Sequence, residues 1–198
     1  MYILETNSFK YYLGERLLFK LPALKLHTKS RIGLIGLNGS GKTTLLELLA
    51  GIRPIKNHLQ NNNDYTTAIK RKTLQSGGET TQAYILQALK QQSGLLLADE
   101  PTNNLDMDHL LWLEKELRHY SGALILVSHD RDFLDALCNE IWALDDKQLQ
   151  IYQGNYSNYQ QQKIISEKTH DQAYRKYIMQ NSFRNSFFCQ TAASAKSC

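Results

Sequence analysis

The chain has 198 residues, of which 42% are hydrophobic, and its formal net charge is +4 at pH 7. This hydrophobic content excludes an obviously disordered chain, and the mild positive charge permits contact with nucleic acid without requiring it. The first residues show neither a basic region nor an apolar leader, and the apolar runs are shorter than the roughly 20 residues that cross a membrane. We therefore expect a cytoplasmic protein with no membrane span of its own.

Predicted strands and helices alternate along most of the chain. Three short strands are expected at 1–5, 16–19 and 23–27, and the polar segment 54–73 predicts a loop with at most one short strand, near 65–69. The later predicted elements are a strand at 31–35, a helix at 43–50, a helix at about 78–91, a buried strand at 94–99, a helix at 106–119, a buried strand at 123–130, a helix at 133–138 and a strand pair at 140–146 and 148–154. This order predicts an α/β fold with a parallel sheet.

The sequence GLNGSGKTT, between the strand at 31–35 and the helix at 43–50, fits the phosphate-loop pattern GxxxxGK[ST]. Glycines let backbone N–H groups turn toward an anion, and the helix N-terminus adds partial positive charge. Lys42 is expected to neutralise the β- and γ-phosphate oxygens, and the Thr43 hydroxyl to bind Mg²⁺. The residues predicted to contact the nucleotide here are Gly36, Asn38, Gly39, Ser40, Gly41, Lys42, Thr43 and Thr44.

Two acids end the buried strand LLLADE. Phosphoryl transfer needs a carboxylate at a strand end that holds Mg²⁺ and a group that orients or polarises the attacking water. Asp99 is suited to the metal, together with Thr43, and Glu100 is suited to the water.

Two further segments, SGGE and PTNNLD, make the chain resemble the ATP-binding cassette proteins, a branch of the P-loop NTPases. By this resemblance the signature comprises Ser76, Gly77, Gly78 and Glu79, with Gln75 where leucine is usual. Asp106 closes a D-loop, and Ser128, His129 and Asp130 form the switch segment, whose histidine contacts the γ-phosphate. In cassette proteins the signature faces the nucleotide of an opposing cassette, so the resemblance implies that a second cassette is needed in trans. It also implies an aromatic side chain that stacks on adenine, with Tyr12 or, alternatively, Tyr11 in this position.

Within this superfamily the chain resembles the ABC-F group and its Vga-like members, which protect ribosomes from lincosamide, pleuromutilin and streptogramin A antibiotics. The similarity rests on RIGLIGLNGSGKTTLL, LLLADEPTNNLD and ILVSHDRDFLD, on the short interval before SGGE, and on YQGNYSNYQQQK. It implies an ATPase that uses ATP and Mg²⁺, a shortened helical subdomain, and the large ribosomal subunit with its rRNA and tRNA as partner. The implied domains are a cassette at 1–154, the start of a helical linker at 155–180 and an irregular tail at 181–198.

Three features depart from the family pattern. DYTTAIKRK lacks the glutamine that is usual between the phosphate loop and the signature, and no second cassette follows. After Met179 the composition of the sequence changes to clustered Phe and Ser, with two of the three cysteines. This change indicates either a shifted reading frame that truncates the protein or a genuine tail. The third cysteine, Cys138, is expected to be a buried apolar residue. Two alternatives to the ribosomal function therefore remain, the ATP-binding subunit of a membrane transporter and an inactive nucleotide-binding remnant.

Overall fold

The computed structural model describes residues 2–53, 59–61, 67–69, 86–87, 89, 94–103, 105–166 and 168–169. The chain divides into two units, Met1–Tyr159 and Gln160–Cys198. In the second unit the described residues, 160–166 and 168–169, are helical. Among the residues described, no helix is long and apolar enough to cross a membrane.

The predicted α/β fold is confirmed in the first unit. Its strands are β1 (Tyr2–Thr6), β2 (Phe9–Leu13), β3 (Arg16–Leu21), β4 (Leu24–His27), β5 (Arg31–Gly36), β6 (Leu59–Asn61), β7 (Thr67–Ile69), β8 (Leu95–Asp99), β9 (Ala123–Val127), β10 (Glu140–Asp145) and β11 (Gln148–Gln153). Its helices include α1 (Lys42–Leu49), α2 (Met107–His119) and α3 (Arg131–Leu137), and residues 156–159 are helical as well.

The strands form two sheets. The larger has the order β2-β3-β11-β10-β5-β9-β8-β7, and its part from β10 to β7 is parallel throughout. Antiparallel pairs join β10 to β11 and β2 to β3, and the smaller sheet, β4-β1-β6, is antiparallel. The structure therefore adds antiparallel pairing to the parallel sheet that the sequence predicts.

The central strands of the larger sheet are buried on both faces. Every residue of β8 and β9 is buried, as expected for continuous apolar strands covered on two sides. Side chains on one face join the leucines of α1 and the inner residues of β1 and β4 in one core, while those on the other face pack with α2 and α3. The larger sheet therefore lies between two packed layers, which hold the ends of its strands in place.

Close packing places α3 directly against β5. A Cβ atom at Gly33 would lie 2.8 Å from Cδ1 of Ile141, 3.1 Å from Cδ2 of Leu134 and 3.2 Å from Sγ of Cys138. Cys138 is buried, as predicted, and its burial raises the pKa of the thiol to about 12. Gly33 therefore allows the helix that follows the switch segment to lie close to the strand that precedes the phosphate loop.

Two strands were not predicted. β2 was missed because its alternation is masked by the adjacent tyrosines, and a bulge after Tyr11 breaks its register with β3. The expectation of at most one strand in 54–73 was wrong, since both β6 and β7 lie there. β6 is held by pairing with β1, a contact between distant parts of the chain that local propensity does not reveal. Of the helix predicted at about 78–91, Leu86, Gln87 and Leu89 are helical, and the remainder lies outside the described residues.

Candidate nucleotide-binding site

The predicted site residues of the phosphate loop, the acidic pair and the switch segment lie at one edge of the larger sheet. β5, β8 and β9 run parallel as neighbours, with Val127 in register with both Leu34 and Asp99. The segments that follow these three strands are therefore adjacent, at the carboxyl edge where open α/β sheets bind ligands.

Glycine is required at two positions of the phosphate loop. Gly36 has φ of +155°, and a Cβ there would lie 2.5 Å from the backbone oxygen of Leu144. Gly41 has φ of +106°, and a Cβ there would lie 3.0 Å from Cδ1 of Phe19. The loop thus follows the sheet more closely than any larger residue permits.

The start of α1 differs from the starts of α2 and α3. Its N-cap is Gly41, its first turn carries no acidic residue, and within the described part of the chain no side chain caps it. By contrast, Asp106 accepts a hydrogen bond from the His109 backbone N–H at the start of α2, and Asp130 accepts one from Phe133 N–H at the start of α3. The N–H groups at the start of α1 are therefore left for an anion from outside the helix.

Lys42 and Ser40 carry polar groups suited to that anion. The Lys42 ammonium donates hydrogen bonds to the carbonyl oxygens of Gly36, at 2.8 Å, and Leu37, at 3.1 Å. The Ser40 hydroxyl is buried and has no hydrogen-bond partner among the described residues. A buried hydroxyl without a partner is costly, so a phosphate oxygen at this loop would relieve the cost.

Thr43 and Asp99 meet although 56 residues separate them in sequence. The Thr43 hydroxyl donates a hydrogen bond of 2.8 Å to Oδ2 of Asp99, whose side chain is buried. Mg²⁺ prefers oxygen ligands and is held by one or two protein groups together with phosphate oxygens. This hydroxyl and carboxylate fit such an ion beside a bound nucleotide.

Glu100 and His129 form the second pair of the site. Nε2 of His129 lies 3.1 Å from Oε1 of Glu100, whose side chain is only 7% exposed whereas that of His129 is 63% exposed. Glu100 has φ of +51°, and its Oε2 is buried without a hydrogen-bond partner in the residues described. Strained backbone and a vacant buried acceptor are features that cluster at functional sites.

Thr102, which the sequence did not single out, supports the switch segment. The Thr102 and Ser128 hydroxyl oxygens lie 3.1 Å apart, and Ser128 Oγ also accepts a hydrogen bond of 3.0 Å from Asp130 N–H. An aspartate just before a helix is a recognisable N-cap, so the role of Asp130 was readable. Thr102 carried no comparable signal.

The two tyrosines considered for adenine differ in exposure. Tyr11 packs against the core and stacks on Phe19 with ring centroids 5.4 Å apart, whereas Tyr12 is 51% exposed. Phe19 also lies beside the position that a Gly41 side chain would take, so this strand pair borders the phosphate loop. Of the two tyrosines, Tyr12 has the more exposed ring.

For the other predicted site residues, the structure describes no contact with the rest of the site. Asn38 and Gly39 are exposed and Thr44 is half-buried. The Asp106 carboxylate caps the start of α2, and hydrogen bonds from the backbone and ring of His109 lower the pKa of this carboxylate. Ser76, Gly77, Gly78 and Glu79 lie outside the described residues, as does most of the region predicted to be a shortened helical subdomain.

Comparison with known proteins relates the chain to several ATP-binding proteins. The ABC transporter family model matches residues 19–75. Over 202 residues the chain is 33% identical to the ribosome protection protein VmlR of Bacillus subtilis (strain 168), covering 88% of this chain and 37% of VmlR. Over 188 residues it is 30% identical to the erythromycin resistance ATP-binding protein MsrA of Staphylococcus epidermidis, covering 81% of this chain and 38% of MsrA. It is 41% identical over 106 residues to ATP-binding cassette sub-family F member 2 of Bos taurus, covering 52% of this chain and 17% of that protein.

Solved structures resemble the fold at low identity. RNase-L Inhibitor matches with a TM-score of 0.63 and 16% identity, covering 77% of this chain and 40% of that chain. The complex of archaeal ribosomal stalk protein aP1 with the recycling factor aABCE1 matches with a TM-score of 0.59 and 18% identity, covering 72% of this chain and 37% of that chain. At these identities the likeness shows the fold alone, and it is the fold that the sequence predicts.

Proposed function

Since the chain belongs to the ABC-F family of ATP-binding cassette proteins, we propose that it binds ATP with Mg²⁺ at the phosphate loop and hydrolyses it when a second cassette completes the site. We further propose that the protein to which this cassette belongs acts on the ribosome in the cytoplasm. The relatives VmlR and MsrA, which are named for ribosome protection and erythromycin resistance, support this second part.

The uncapped start of α1 is the observation that carries the nucleotide proposal. A helix N-terminus without a side-chain cap is suited to phosphate, and the buried Ser40 hydroxyl without a partner lies in the same loop. Lys42 would exchange its bonds to loop carbonyls for the β- and γ-phosphate oxygens, and Tyr12 would stack on the base.

The two side-chain pairs divide the chemistry between them. Thr43 and Asp99 would hold Mg²⁺, which when bound neutralises charge on the phosphate oxygens. Glu100 would orient a water molecule through its vacant Oε2 and accept a proton from it, while His129 would move from Glu100 to the γ-phosphate. Burial of Glu100 keeps bulk water from competing for that carboxylate oxygen.

A second cassette would supply the other half of the site. By family resemblance, Ser76, Gly77, Gly78 and Glu79 would face the γ-phosphate bound by the partner cassette, and Asp106 would lie at the cassette interface. Candidate partners include a second copy of this chain and another cassette of the same family. A monomer is accordingly expected to bind ATP with negligible turnover.

The phosphate-loop assignment is tested by Lys42→Ala, with Lys115→Ala as the matched control because Lys115 is exposed on α2. We expect the affinity for a fluorescent ATP analogue to fall at least roughly 100-fold in Lys42→Ala, since a charge-assisted contact to phosphate is lost in a partly buried site. Lys115→Ala is expected to bind like the parent. Equal affinity in all three proteins would refute the assignment.

The ribosomal part is tested with the Glu100→Gln variant, which is expected to retain ATP and lose turnover. We expect this protein to sediment with ribosomes when Mg²⁺ and ATP are present and to remain in the supernatant without nucleotide. Recovery with a membrane fraction instead of ribosomes would favour the ATP-binding subunit of a transporter. Nucleotide binding without either association would leave an isolated ATP-binding module.

A further inference from the structure

We propose that Asp135 couples the switch segment to the helical turn at 156–159, so that the nucleotide state of the site is transmitted to the point where the chain leaves the cassette. This inference rests on the proposed function, because His129 senses the nucleotide only if the site binds one. Its structural basis is a pair of hydrogen bonds between a side chain on α3 and the start of a helix that follows β11.

The start of the helical turn at 156–159 receives two separate caps. Oδ1 of Asn155 accepts a hydrogen bond of 3.0 Å from Asn158 N–H, as in an ordinary N-cap. Asp135 supplies the other, since its Oδ1 accepts from Ser157 N–H at 2.7 Å and its Oδ2 accepts from the Ser157 hydroxyl at 2.9 Å. A carboxylate is favoured here because a helix N-terminus is partly positive.

The cap from Asp135 comes from an element that is tied to the switch. Asp130, next to His129, caps the start of α3 through Phe133 N–H, and its own N–H is held by Ser128 Oγ. α3 is only seven residues long and its inner side chains are buried, so we expect it to move as one body. A displacement of His129 away from Glu100 would therefore be felt at Asp135.

The residues just before the helical turn are also hydrogen-bonded to the sheet, independently of α3. Gly154 N–H donates a hydrogen bond of 2.9 Å to the carbonyl oxygen of Asn139, whose own N–H donates to Arg31 at the start of β5. This attachment ties residue 154 to the sheet, whereas the cap from Asp135 ties residue 157 to α3. The turn at 156–159 is thus placed to register any shift of α3 relative to the sheet.

The test measures amide hydrogen exchange by NMR at Ser157 and Asn158 in the full chain carrying Glu100→Gln, with and without Mg²⁺ and ATP. We expect nucleotide to change the exchange rate of Ser157 N–H by at least about threefold. Asp135→Ala is expected to reduce that change to less than about 1.5-fold. Asp132→Ala, an exposed aspartate on the same helix, is the matched control and is expected to leave the change intact.

A milder variant separates coupling from simple anchoring. Ser157→Ala loses the hydroxyl contact but keeps the backbone N–H, so its nucleotide effect is expected to lie between those of the parent and Asp135→Ala. Because coupling is reciprocal, Asp135→Ala is also expected to change nucleotide affinity by no more than the factor by which nucleotide changes the exchange rate in the parent.

The outcomes distinguish this inference from the proposed function. If Asp135→Ala accelerates exchange equally with and without nucleotide, Asp135 is only an anchor and the inference is overturned, although ATP binding stands. The same conclusion follows if the parent binds ATP but the exchange of Ser157 does not respond. If the parent fails to bind a fluorescent ATP analogue, the proposed function fails and the coupling fails with it.

Discussion

The described helices of this cassette begin in two ways. The open start, Gly41 at α1, has no acidic residue and no side-chain cap within the part of the chain that the structure describes. The closed starts, Asp106 at α2, Asp130 at α3 and Asn155 with Asp135 at residue 156, each place a carboxylate or amide oxygen on a helical N–H. Because side chains cap the other helix starts that the structure describes, the uncapped start of α1 is suited to an anionic ligand.

The largest expected effect comes from replacing a glycine in the phosphate loop, which leads into the open start. Gly36→Ala places a Cβ against the Leu144 carbonyl at positive φ, so we expect a loss of about 3 kcal/mol or more in the free energy of unfolding. Gly39→Ala, also at positive φ but with open space around it, is expected to lose only about 1 kcal/mol. Urea unfolding measures both. Equal losses would mean that contact with Leu144 does not shape the loop.

The next prediction converts the open start into a closed one. Thr44→Asp puts an acid in the first turn of α1, where we expect it to repel phosphate and lower ATP affinity at least about tenfold. The free protein is expected to keep its stability or gain about 0.3–1 kcal/mol. Thr44→Asn has a similar shape without the charge and is the control. Calorimetric titration with ATP measures the affinities, and equal loss in both variants would attribute the effect to shape.

A smaller effect is expected from opening a closed start. Asp130→Ala removes the acceptor for Phe133 N–H, so we expect the variant to lose about 1 kcal/mol in the free energy of unfolding. Asp130→Asn retains an acceptor and is expected to lose less than about 0.5 kcal/mol. Thermal unfolding of the two variants against the parent measures the difference. If they lose the same stability, the carboxylate acts through its charge rather than as a cap.

The smallest effect concerns the closed start of α2 and its pH dependence. Hydrogen bonds from the backbone and ring of His109 hold the pKa of Asp106 below its ordinary value of 3.8. The stabilisation is therefore complete above that ordinary value and is lost as pH falls through the lowered pKa of the folded state. Carbon-detected NMR titration is expected to show a higher Asp106 pKa in His109→Ala than in the parent. An unchanged pKa would leave the backbone N–H as the only cause.

The sequence predicts the phosphate loop, the helix that follows it and the two acids at the end of a buried strand. Lys42, Thr43, Asp99 and Glu100 were readable because their motifs place given residue types at fixed spacing, and the structure brings Thr43 against Asp99. The structure also brings His129, which the family resemblance identified, against Glu100. The pairing geometry itself, including the strained backbone of Glu100, is a property of the folded sheet.

What the sequence does not predict depends on contacts between distant segments. β6 forms on β1, and Asp135 meets Ser157 across 22 residues, in neither case through a local pattern. Asp135 alone is an ordinary helix-surface acid, and only the fold shows that it caps another helix. The resemblance implies that YQGNYSNYQQQK leads out of the cassette, but it gives no sign of the contact between Asp135 and Ser157.

The narrow space between Gly33 and α3 also gives the protein a chemical reporter. Cys138 lies in that space, and with a pKa of about 12 its thiol has little thiolate at neutral pH. Alkylation of Cys138, in a background with Cys189→Ser and Cys198→Ser, would proceed only when α3 separates from β5. The labelling rate, followed with and without ATP, therefore reports how often α3 separates from β5, and the native Cys138 thiol serves as the probe.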